Sequence, residues 1–262
     1  MKRILLCLAL LPGAAHAAAW TVPKGRWQSF TGMIYSDASR AFDAHGDASW
    51  PETFRRILLT TDTEYGLTGR LTLFVRTETA YVHVRDAVTP STTAYDNAVE
   101  AGARWRIARG ILAAYDVLSL EVSGRKAGAF NFAYSADAHA GGEDAGLRLL
   151  YGRGFRLGKR DGFLDIEAGY RFLSPPRPDQ TAIDLTTGLW LDRRWMVMAQ
   201  SFNLVGSAAT PPYRFFRMHK LELSAVYRIG RGWALQAGGF LSPTGINALE
   251  ERGVQVSLWN DL

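Results

Sequence analysis

The sequence has almost no cysteine, because Cys7 is the only one among 262 residues. One thiol cannot form an intrachain disulfide, and it cannot build a cysteine metal cluster. The chain also lacks any apolar run near the ~20 residues that a membrane-spanning helix requires. Its formal net charge is only +5, and its lysines and arginines form no block. These absences exclude a disulfide scaffold and a helical membrane protein, and they argue against a nucleic-acid-binding surface.

The start of the chain has the organisation of a signal peptide. Lys2 and Arg3 precede the apolar run Ile4–Leu11, and small residues follow as far as Ala17. We therefore predict a Sec-type signal peptide at residues 1–17 that is cleaved after Ala17, with cleavage after Ala19 as the alternative. Its removal leaves 28 basic and 25 acidic residues and a net charge of +3. The mature chain is then expected in the periplasm, outside the cell or in the outer membrane.

Apolar and polar residues alternate with a period of two, most clearly between residues 163 and 172. One face carries Leu164, Ile166, Ala168, Tyr170 and Phe172. The other face carries Asp165, Glu167, Gly169 and Arg171. A strand separates these two sets, whereas a helix mixes them. Charges along one face and apolar groups along the other are typical of a lipid-facing barrel wall around a polar lumen.

This alternation recurs along the chain, and the segments are joined by connections that are alternately short and long. Two segments, near residues 27–36 and 195–205, alternate poorly, and their faces stay unassigned. We place short turns at 66–70, 109–110, 157–162, 192–194 and 230–232. We place longer loops at 37–52, 85–96, 124–141, 174–180, 206–212 and 242–252. Short periplasmic turns and longer outer loops are the rule in outer-membrane barrels.

These observations predict an all-β fold, a transmembrane antiparallel up-and-down β-barrel over residues 18–262. The best strand count is about twelve, within a range of ten to fourteen. A water-soluble sandwich also alternates, but small residues on the apolar faces and charges of both signs on the polar faces favour the barrel. Aromatic residues close to the short turns are expected to form a girdle at one membrane interface: Tyr65, Trp105, Tyr151, Trp195, Tyr227 and Trp233.

Three stretches near the start of the mature chain resemble a known family of bacterial outer-membrane barrels. They are Ala19–Gly25, Tyr35–Asp43 and Glu64–Leu73. Together they are similar to XagA-like proteins and, more loosely, to barrels from phenol meta-pathway clusters. The resemblance covers roughly the first 75 residues. It implies an outer-membrane barrel associated with exopolysaccharide or biofilm matrix in the envelope of a Gram-negative bacterium, and it brings no catalytic residues with it.

The inward-facing charges are the sharpest functional feature of the sequence. They are expected to line a hydrated solute path with acidic and basic rows or, alternatively, a paired plug that holds the barrel shut. The predicted lumen-lining residues, candidates for binding or conduction, are Asp62, Glu64, Arg76, Glu78, Glu100, Arg104, Arg106, Asp144, Arg148, Asp165, Glu167, Arg171, Asp184, Lys220, Glu222 and Arg228.

The sequence offers little for enzymatic or metal chemistry. A lipid-cleaving barrel needs a serine nucleophile beside a histidine base. A histidine two residues before a serine on one strand would suggest such a pair, but neither His83 nor His219 has a serine at that position. Two acidic loop clusters have oxygen ligands that would suit calcium or magnesium, but their spacing matches no known cage. These clusters are Asp43, His45 and Asp47, and Asp137, His139, Glu143 and Asp144. We expect no catalytic site, no metal and no cofactor.

The hypothesis for function is a monomeric, porin-like outer-membrane channel. Its expected partners are outer-membrane lipid and either a polysaccharide or a small polar solute, with no nucleic acid. One alternative is a plugged structural barrel that anchors matrix glycan. Another is an outer-membrane enzyme acting on lipid or glycan. Aromatic residues in the loop at 124–141, namely Phe130, Phe132 and Tyr134, could stack on sugars or belong to an upper girdle.

Overall fold

The computed structural model describes residues 18–86, 92–128, 142–175, 177–206, 214–230 and 232–261. These residues form twelve long strands and one two-residue strand. The strands are β1 Trp27–Phe42, β2 Ala48–Gly66, β3 Leu71–Asp86, β4 Thr92–Arg109, β5 Asp116–Ala127, β6 Gly142–Leu157, β7 Arg160–Leu173, β8 Gln180–Trp190, β9 Trp195–Gly206, β10 Arg217–Gly230, β11 Trp233–Ile246, β12 Ala248–Leu249 and β13 Arg252–Asp261. Across this described part of the chain, no helix is long and apolar enough to span a membrane.

The long strands close into a single antiparallel barrel. Each long strand pairs with the next long strand along the chain. The first strand closes the ring, because β1 pairs with both β2 and β13. Met33 lies opposite Leu59 on β2 and opposite Val256 on β13. The predicted fold class is therefore confirmed, and so is the predicted count of twelve wall strands.

Successive side chains alternate between the outer wall and the lumen. On β10, Leu221 and Leu223 are 44% and 71% exposed, whereas Lys220 and Glu222 are 0% and 7% exposed. This is the arrangement of a wall whose apolar face meets lipid and whose polar face is enclosed. A one-residue slip in pairing would reverse both faces, so the alternation fixes the register.

The two segments that alternate poorly are nevertheless wall strands. On β1 the lumen side carries Phe30 and Ile34, and on β9 it carries Met196, Met198 and Phe202, all of them buried. Because their inward faces mix these apolar residues with the buried polar residues Ser36 and Gln200, neither strand shows a clear period of two. The missing alternation marks a part of the lumen that is largely apolar.

The strand ends at the short connections and both described chain ends lie at one end of the barrel, here called the turn end, and the strand ends that lead into the longer connections lie at the opposite end, here called the loop end. The predicted turn at 109–110 is longer than expected, because β4 ends at Arg109 and β5 begins at Asp116. The Asp116 carboxylate organises this turn by accepting the backbone N–H groups of Leu112 and Ala113 at 3.1 and 2.7 Å. The predicted loop at 37–52 is shorter, because both strands extend into it and leave only residues 43–47.

Aromatic side chains gather near the turn end. Trp27 and Tyr65 pack with ring centroids 4.5 Å apart, and Trp195 and Tyr227 pack at 4.7 Å. Trp105, Trp195 and Trp233 are about half exposed on the outer wall. This position is the one predicted for an interfacial girdle. The predicted signal peptide at 1–17 and the aromatic residues at 130–134 lie outside the described residues.

Candidate functional site

The lumen at the turn end is crossed by a buried network of charges. Arg104 lies between two carboxylates, with its Nη2 2.7 Å from Glu64 Oε1 and 3.0 Å from Glu121 Oε2. Arg76 joins the network through Glu121 Oε1 at 2.8 Å and Asp62 Oδ2 at 2.8 Å. Each arginine therefore bridges two carboxylates. Buried charges are tolerated only when they are paired and hydrogen-bonded in this way.

Strand register explains why these side chains meet. Asp62 on β2 lies opposite Arg76 on β3, and Arg76 in turn lies opposite Glu100 on β4. On the following pair, Arg104 of β4 lies opposite Glu121 of β5. Side chains directly opposite one another have Cβ atoms about 4.5–5.5 Å apart. Placing opposite charges at paired inward positions therefore builds the network from neighbouring strands.

A second set of ion pairs extends from this network toward the loop end of the lumen. Arg125 on β5 is 3.2 Å from Glu78 Oε2 and 3.3 Å from Asp144 Oδ2. The Arg177 guanidinium reaches the other Asp144 oxygen at 2.5 Å. Farther around the wall, the Arg148 guanidinium contacts Glu167 at 3.1 Å.

A separate cluster lies near the loop end on the other side of the barrel. Lys220 of β10 is fully buried and forms an ion pair with Glu251, which also pairs with Arg56 at 2.7 Å. Beside it, Gln255 donates a hydrogen bond to the Glu222 carboxylate. The Lys220 ammonium also lies 5.2 Å from the centre of the Phe240 ring.

Between these clusters the remaining wall is apolar or carries neutral amides and hydroxyls. Met196, Met198 and Val226 form a buried apolar cluster near the turn end. Gln236 donates to the Ser224 hydroxyl at 2.9 Å and accepts from the Trp259 indole N–H at 3.1 Å. The lumen thus has a charged side, built mainly from β2 to β8, and a neutral side, built mainly from β9 to β13 and β1, whose charges are confined to the Lys220, Glu222 and Glu251 cluster near the loop end.

A cavity lies between the two sides. Its charged lining includes Arg148, Glu167 and Asp184, and its neutral lining includes Phe202 and Met218. About 100 Å³ of this cavity is open to the centres of water-sized molecules. A solute in this cavity would touch charges on one side and apolar groups on the other.

The segment that precedes β1 lies inside the barrel at the turn end. The Ala19 amide donates to Asp165 Oδ2 at 2.8 Å, and its carbonyl accepts from the Ser119 hydroxyl at 2.6 Å. The Trp20 carbonyl accepts from Arg104 Nη1 at 3.3 Å. These contacts reach strands β4, β5 and β7, so residues 18–22 are bound across the lumen and not along one wall.

Apolar packing and glycine positions make room for this segment. Ala18 and Ala19 form a buried cluster with Val117 and Leu150, against which Trp20 packs. A Cβ atom at Gly152 would lie 2.6 Å from the Trp20 ring and 2.8 Å from the Ala19 Cβ. Glycine at position 152 is therefore what allows the segment to approach β6.

Most of the predicted lumen residues point into the barrel. These are Asp62, Glu64, Arg76, Glu78, Glu100, Arg104, Asp144, Arg148, Asp165, Glu167, Arg171, Asp184, Lys220 and Glu222. Two others lie at its turn end. Arg106 donates to the Thr21 hydroxyl and the Gly69 carbonyl, and the exposed Arg228 stacks 3.7 Å from the Trp190 ring.

Within the part of the chain that the structure describes, sequence reasoning missed four buried charged residues of the lumen: Arg56, Glu121, Arg125 and Glu251. The signal for Glu121 and Arg125 was present, because Ser119, Glu121 and Ser123 alternate with apolar residues along β5. The alternation of apolar and polar residues could not identify Glu251, because this residue lies between β12 and β13. Only its ion pairs with Lys220 and Arg56 show that it belongs to the lumen.

The first loop cluster considered for metal binding is an ordinary turn. The Asp43 carboxylate accepts the backbone N–H groups of His45 and Asp47 at 2.8 and 3.0 Å. Hydrogen bonds from Asp47 and then His45 lower the pKa of Asp43 below its ordinary value. Among the described residues, no group of three or more His, Cys, Asp or Glu side chains could hold a metal ion. Asp137 and His139 lie outside them.

A closed antiparallel barrel with an apolar outer wall and a charged lumen defines a transmembrane β-barrel of the outer-membrane type. The fold is similar to that of an outer-membrane channel from Pseudomonas putida F1. The two superpose with a TM-score of 0.70 at 14% identity, over 97% of this chain and 100% of that one.

More distant structures share the same architecture. The translocator domain of the autotransporter NalP from Neisseria meningitidis matches with a TM-score of 0.53 at 12% identity, over 90% of this chain and 88% of that one. The NanC porin matches with a TM-score of 0.51 at 9% identity, over 89% of this chain and 100% of that one. No family model and no curated protein sequence matches the chain. At these identities the similarity establishes the fold.

Proposed function

We propose that this protein is an outer-membrane channel that passes small polar solutes. The observation that carries the proposal is the cavity in which Arg148, Glu167 and Asp184 face Phe202 and Met218. Rings of charged side chains select ions and polar solutes in channels. The neutral wall lets the same cavity accept the apolar part of a solute. The outer-membrane channel from Pseudomonas putida F1, which has the same fold, supports this choice of function.

The geometry favours a small solute over a polysaccharide chain. A twelve-strand barrel has a narrow interior, and here residues 18–22 and the Arg104 ion pairs occupy its turn end. Passage of an exopolysaccharide, which the XagA-like resemblance implies, would require the segment and these ion pairs to move together. Association with exopolysaccharide or biofilm matrix therefore stays a prediction, and the small solute is the better-supported cargo.

A plugged structural barrel is the second candidate. It is favoured by the same segment, because Ala19 is fully buried and Arg104 is paired to two carboxylates and to the Trp20 carbonyl. In this case the barrel would act through its outer surface, for example by anchoring matrix glycan. The two candidates differ in whether ions cross the folded barrel.

Single-channel recording of the refolded mature protein in a planar bilayer tests the proposal. We expect steady openings with a reversal potential under a salt gradient. Asp184→Asn should shift the reversal potential toward anion selectivity and Arg171→Gln toward cation selectivity, because each removes one charge near the cavity. Asp161→Asn is the matched control, since that carboxylate is 65% exposed near a turn. A silent bilayer with a folded, heat-modifiable barrel would overturn the channel and leave the plugged barrel.

A further inference from the structure

Three carboxylates occupy neighbouring inward positions on β7 and β8, and one of them, Asp165, contacts the segment inside the lumen. Glu167 on β7 lies directly opposite Asp184 on β8. Asp165 precedes Glu167 by two residues and lies on the same inward face of β7. Asp165 and Asp184 are 1% and 6% exposed. Like charges at paired inward positions repel each other. A positively charged partner would therefore stabilise these three carboxylates, here called the acidic group.

Among the described residues, only one of the three carboxylates in the acidic group has a basic partner. Glu167 pairs with Arg148 at 3.1 Å. Over the described ranges, neither Asp165 nor Asp184 lies within ion-pair distance of an arginine or lysine, and Asp165 Oδ1 has no hydrogen-bond partner at all. The other Asp165 oxygen accepts a hydrogen bond from the backbone N–H of Ala19. Asp184 Oδ1 accepts a hydrogen bond from the backbone N–H of Asn203 at 3.1 Å. Burying an unpaired carboxylate is costly, so a missing cation is indicated.

The chain places its own candidate for that cation next to the group. Ala18 is 8% exposed and lines the same cavity as Glu167 and Asp184. It immediately precedes Ala19, whose amide is already bound to Asp165. Consecutive residues are about 3.8 Å apart and the Ala19 nitrogen is 2.8 Å from Asp165 Oδ2, so the nitrogen of Ala18 lies within about 7 Å of that carboxylate.

We propose that removal of residues 1–17 creates an α-ammonium group on Ala18 that binds the Asp165–Glu167–Asp184 group and locks residues 18–22 into the lumen. The proposal rests on the predicted cleavage after Ala17. Hydrolysis breaks the C–N bond between Ala17 and Ala18 and adds the oxygen of water to the Ala17 carbonyl carbon. The water hydrogens are shared between the new acid and the new amine, and transfer of the acid proton then leaves a carboxylate and an ammonium.

The chemistry of the new group fits the site. An ammonium supplies one positive charge and three N–H donors, whereas the uncleaved chain offers only a neutral amide at this position. One of those donors would satisfy the unpartnered Asp165 Oδ1, and the charge would offset the surplus of the acidic group. Processing of the chain and closure of the turn end would thus be coupled, because the locking group exists only after cleavage.

The test compares the reactivity of the α-amine in the folded and unfolded mature protein. Intact mass first gives the starting residue, and brief acetylation at neutral pH then gives the rate at the N-terminal peptide. We expect Ala18 as the first residue and an α-amine that reacts at least about tenfold more slowly in the folded protein, the effect of one pKa unit or more. Asp165→Asn should restore much of the reactivity, because the amide keeps an acceptor for Ala19 but loses the charge.

Asp161→Asn is the matched control, since it makes the same change at a carboxylate that is 65% exposed. Heat-modifiable mobility on a gel confirms that each variant is folded, and Asp184→Asn is a second variant if Asp165→Asn does not fold. Equal α-amine reactivity in the folded and unfolded protein would overturn the proposal, and so would a mature chain that begins at Trp20. Neither readout depends on whether the barrel conducts, so this proposal can fail while the channel stands.

Discussion

Arg104 and Glu64 form an ion pair in which both side chains are completely buried, with Nη2 and Oε1 2.7 Å apart. The same guanidinium contacts Glu121 and the Trp20 carbonyl, so one side chain connects β2, β4, β5 and the segment before β1. This buried arginine forms ion pairs with two carboxylates at once. It is the point at which the barrel wall and the enclosed segment depend on each other.

Replacing Arg104 by methionine is expected to destabilise the barrel strongly. The change keeps much of the side-chain volume but leaves Glu64 and Glu121 buried without that partner, and breaking a buried pair costs about 3–5 kcal/mol. Urea unfolding of the refolded protein in detergent measures the loss. Arg156→Met is the matched control, because the Arg156–Asp161 pair is 71% and 65% exposed and exposed ion pairs contribute little to stability. Equal stability of both variants would contradict this account.

The alternation of apolar and polar residues was enough to predict the barrel, its strand number and most of its lumen charges. Where a strand carries apolar residues on its inward face, as β1 does at Phe30 and Ile34, the period disappears although the strand forms. Strand ends were also harder to place than strands, because the turn after Arg109 is set by the Asp116 carboxylate and not by glycine alone.

The enclosed segment could not be predicted from the sequence. Ala18, Ala19 and Trp20 form no periodic pattern, and their position is decided by contacts with strands that lie far along the chain, such as Asp165 and Ser119. Charge pairing has the same limitation. Sequence identified Arg104 and Glu64 as inward-facing, but only the closed barrel shows that they share a partner in Glu121.

Gly152→Val is expected to displace the enclosed segment. The added Cβ would lie 2.6 Å from the Trp20 ring, which is too close for the ring to stay in place. Since the single cysteine, Cys7, lies within the predicted signal peptide, Ala19→Cys in the protein that lacks residues 1–17 reports the displacement through its rate of reaction with a maleimide. The buried thiol should react slowly in the parent barrel and about tenfold or more faster with Gly152→Val, if the displacement makes it accessible.

Gly124→Val is the matched control for Gly152, because a Cβ atom there would meet nothing within 4 Å. It should leave the maleimide rate at Ala19→Cys unchanged. A slow rate in all three proteins would show that the segment tolerates the bulkier residue and that glycine is not needed for its approach to β6.

If the barrel is the proposed channel, deleting residues 18–22 should widen its conducting path. The deletion removes the buried Ala19 and the Trp20 side chain from the turn end, so single-channel conductance should rise severalfold. Lys24→Ala is the control, since it changes an exposed residue of the same stretch. Unchanged conductance in the deletion variant would mean that the narrowest part of the path lies elsewhere, among the ion pairs of the charged side.

The turn after β8 should depend on pH through Asp192. Its carboxylate accepts the backbone N–H groups of Arg194 and Trp195 at 2.7 and 2.8 Å, and these hydrogen bonds lower the pKa of Asp192 below its ordinary value. A carboxyl group whose pKa is lower in the folded turn stabilises that turn above its unfolded pKa, and the contribution is lost as pH falls through the folded pKa. Hydrogen exchange should therefore find the Arg194 and Trp195 amides protected at neutral pH, and that protection should disappear in strong acid.

Asp192→Asn keeps an acceptor oxygen but cannot ionise. In this variant the amides of Arg194 and Trp195 should be less protected at neutral pH, and the acid transition should be absent. A transition that persists in Asp192→Asn would assign it to another group.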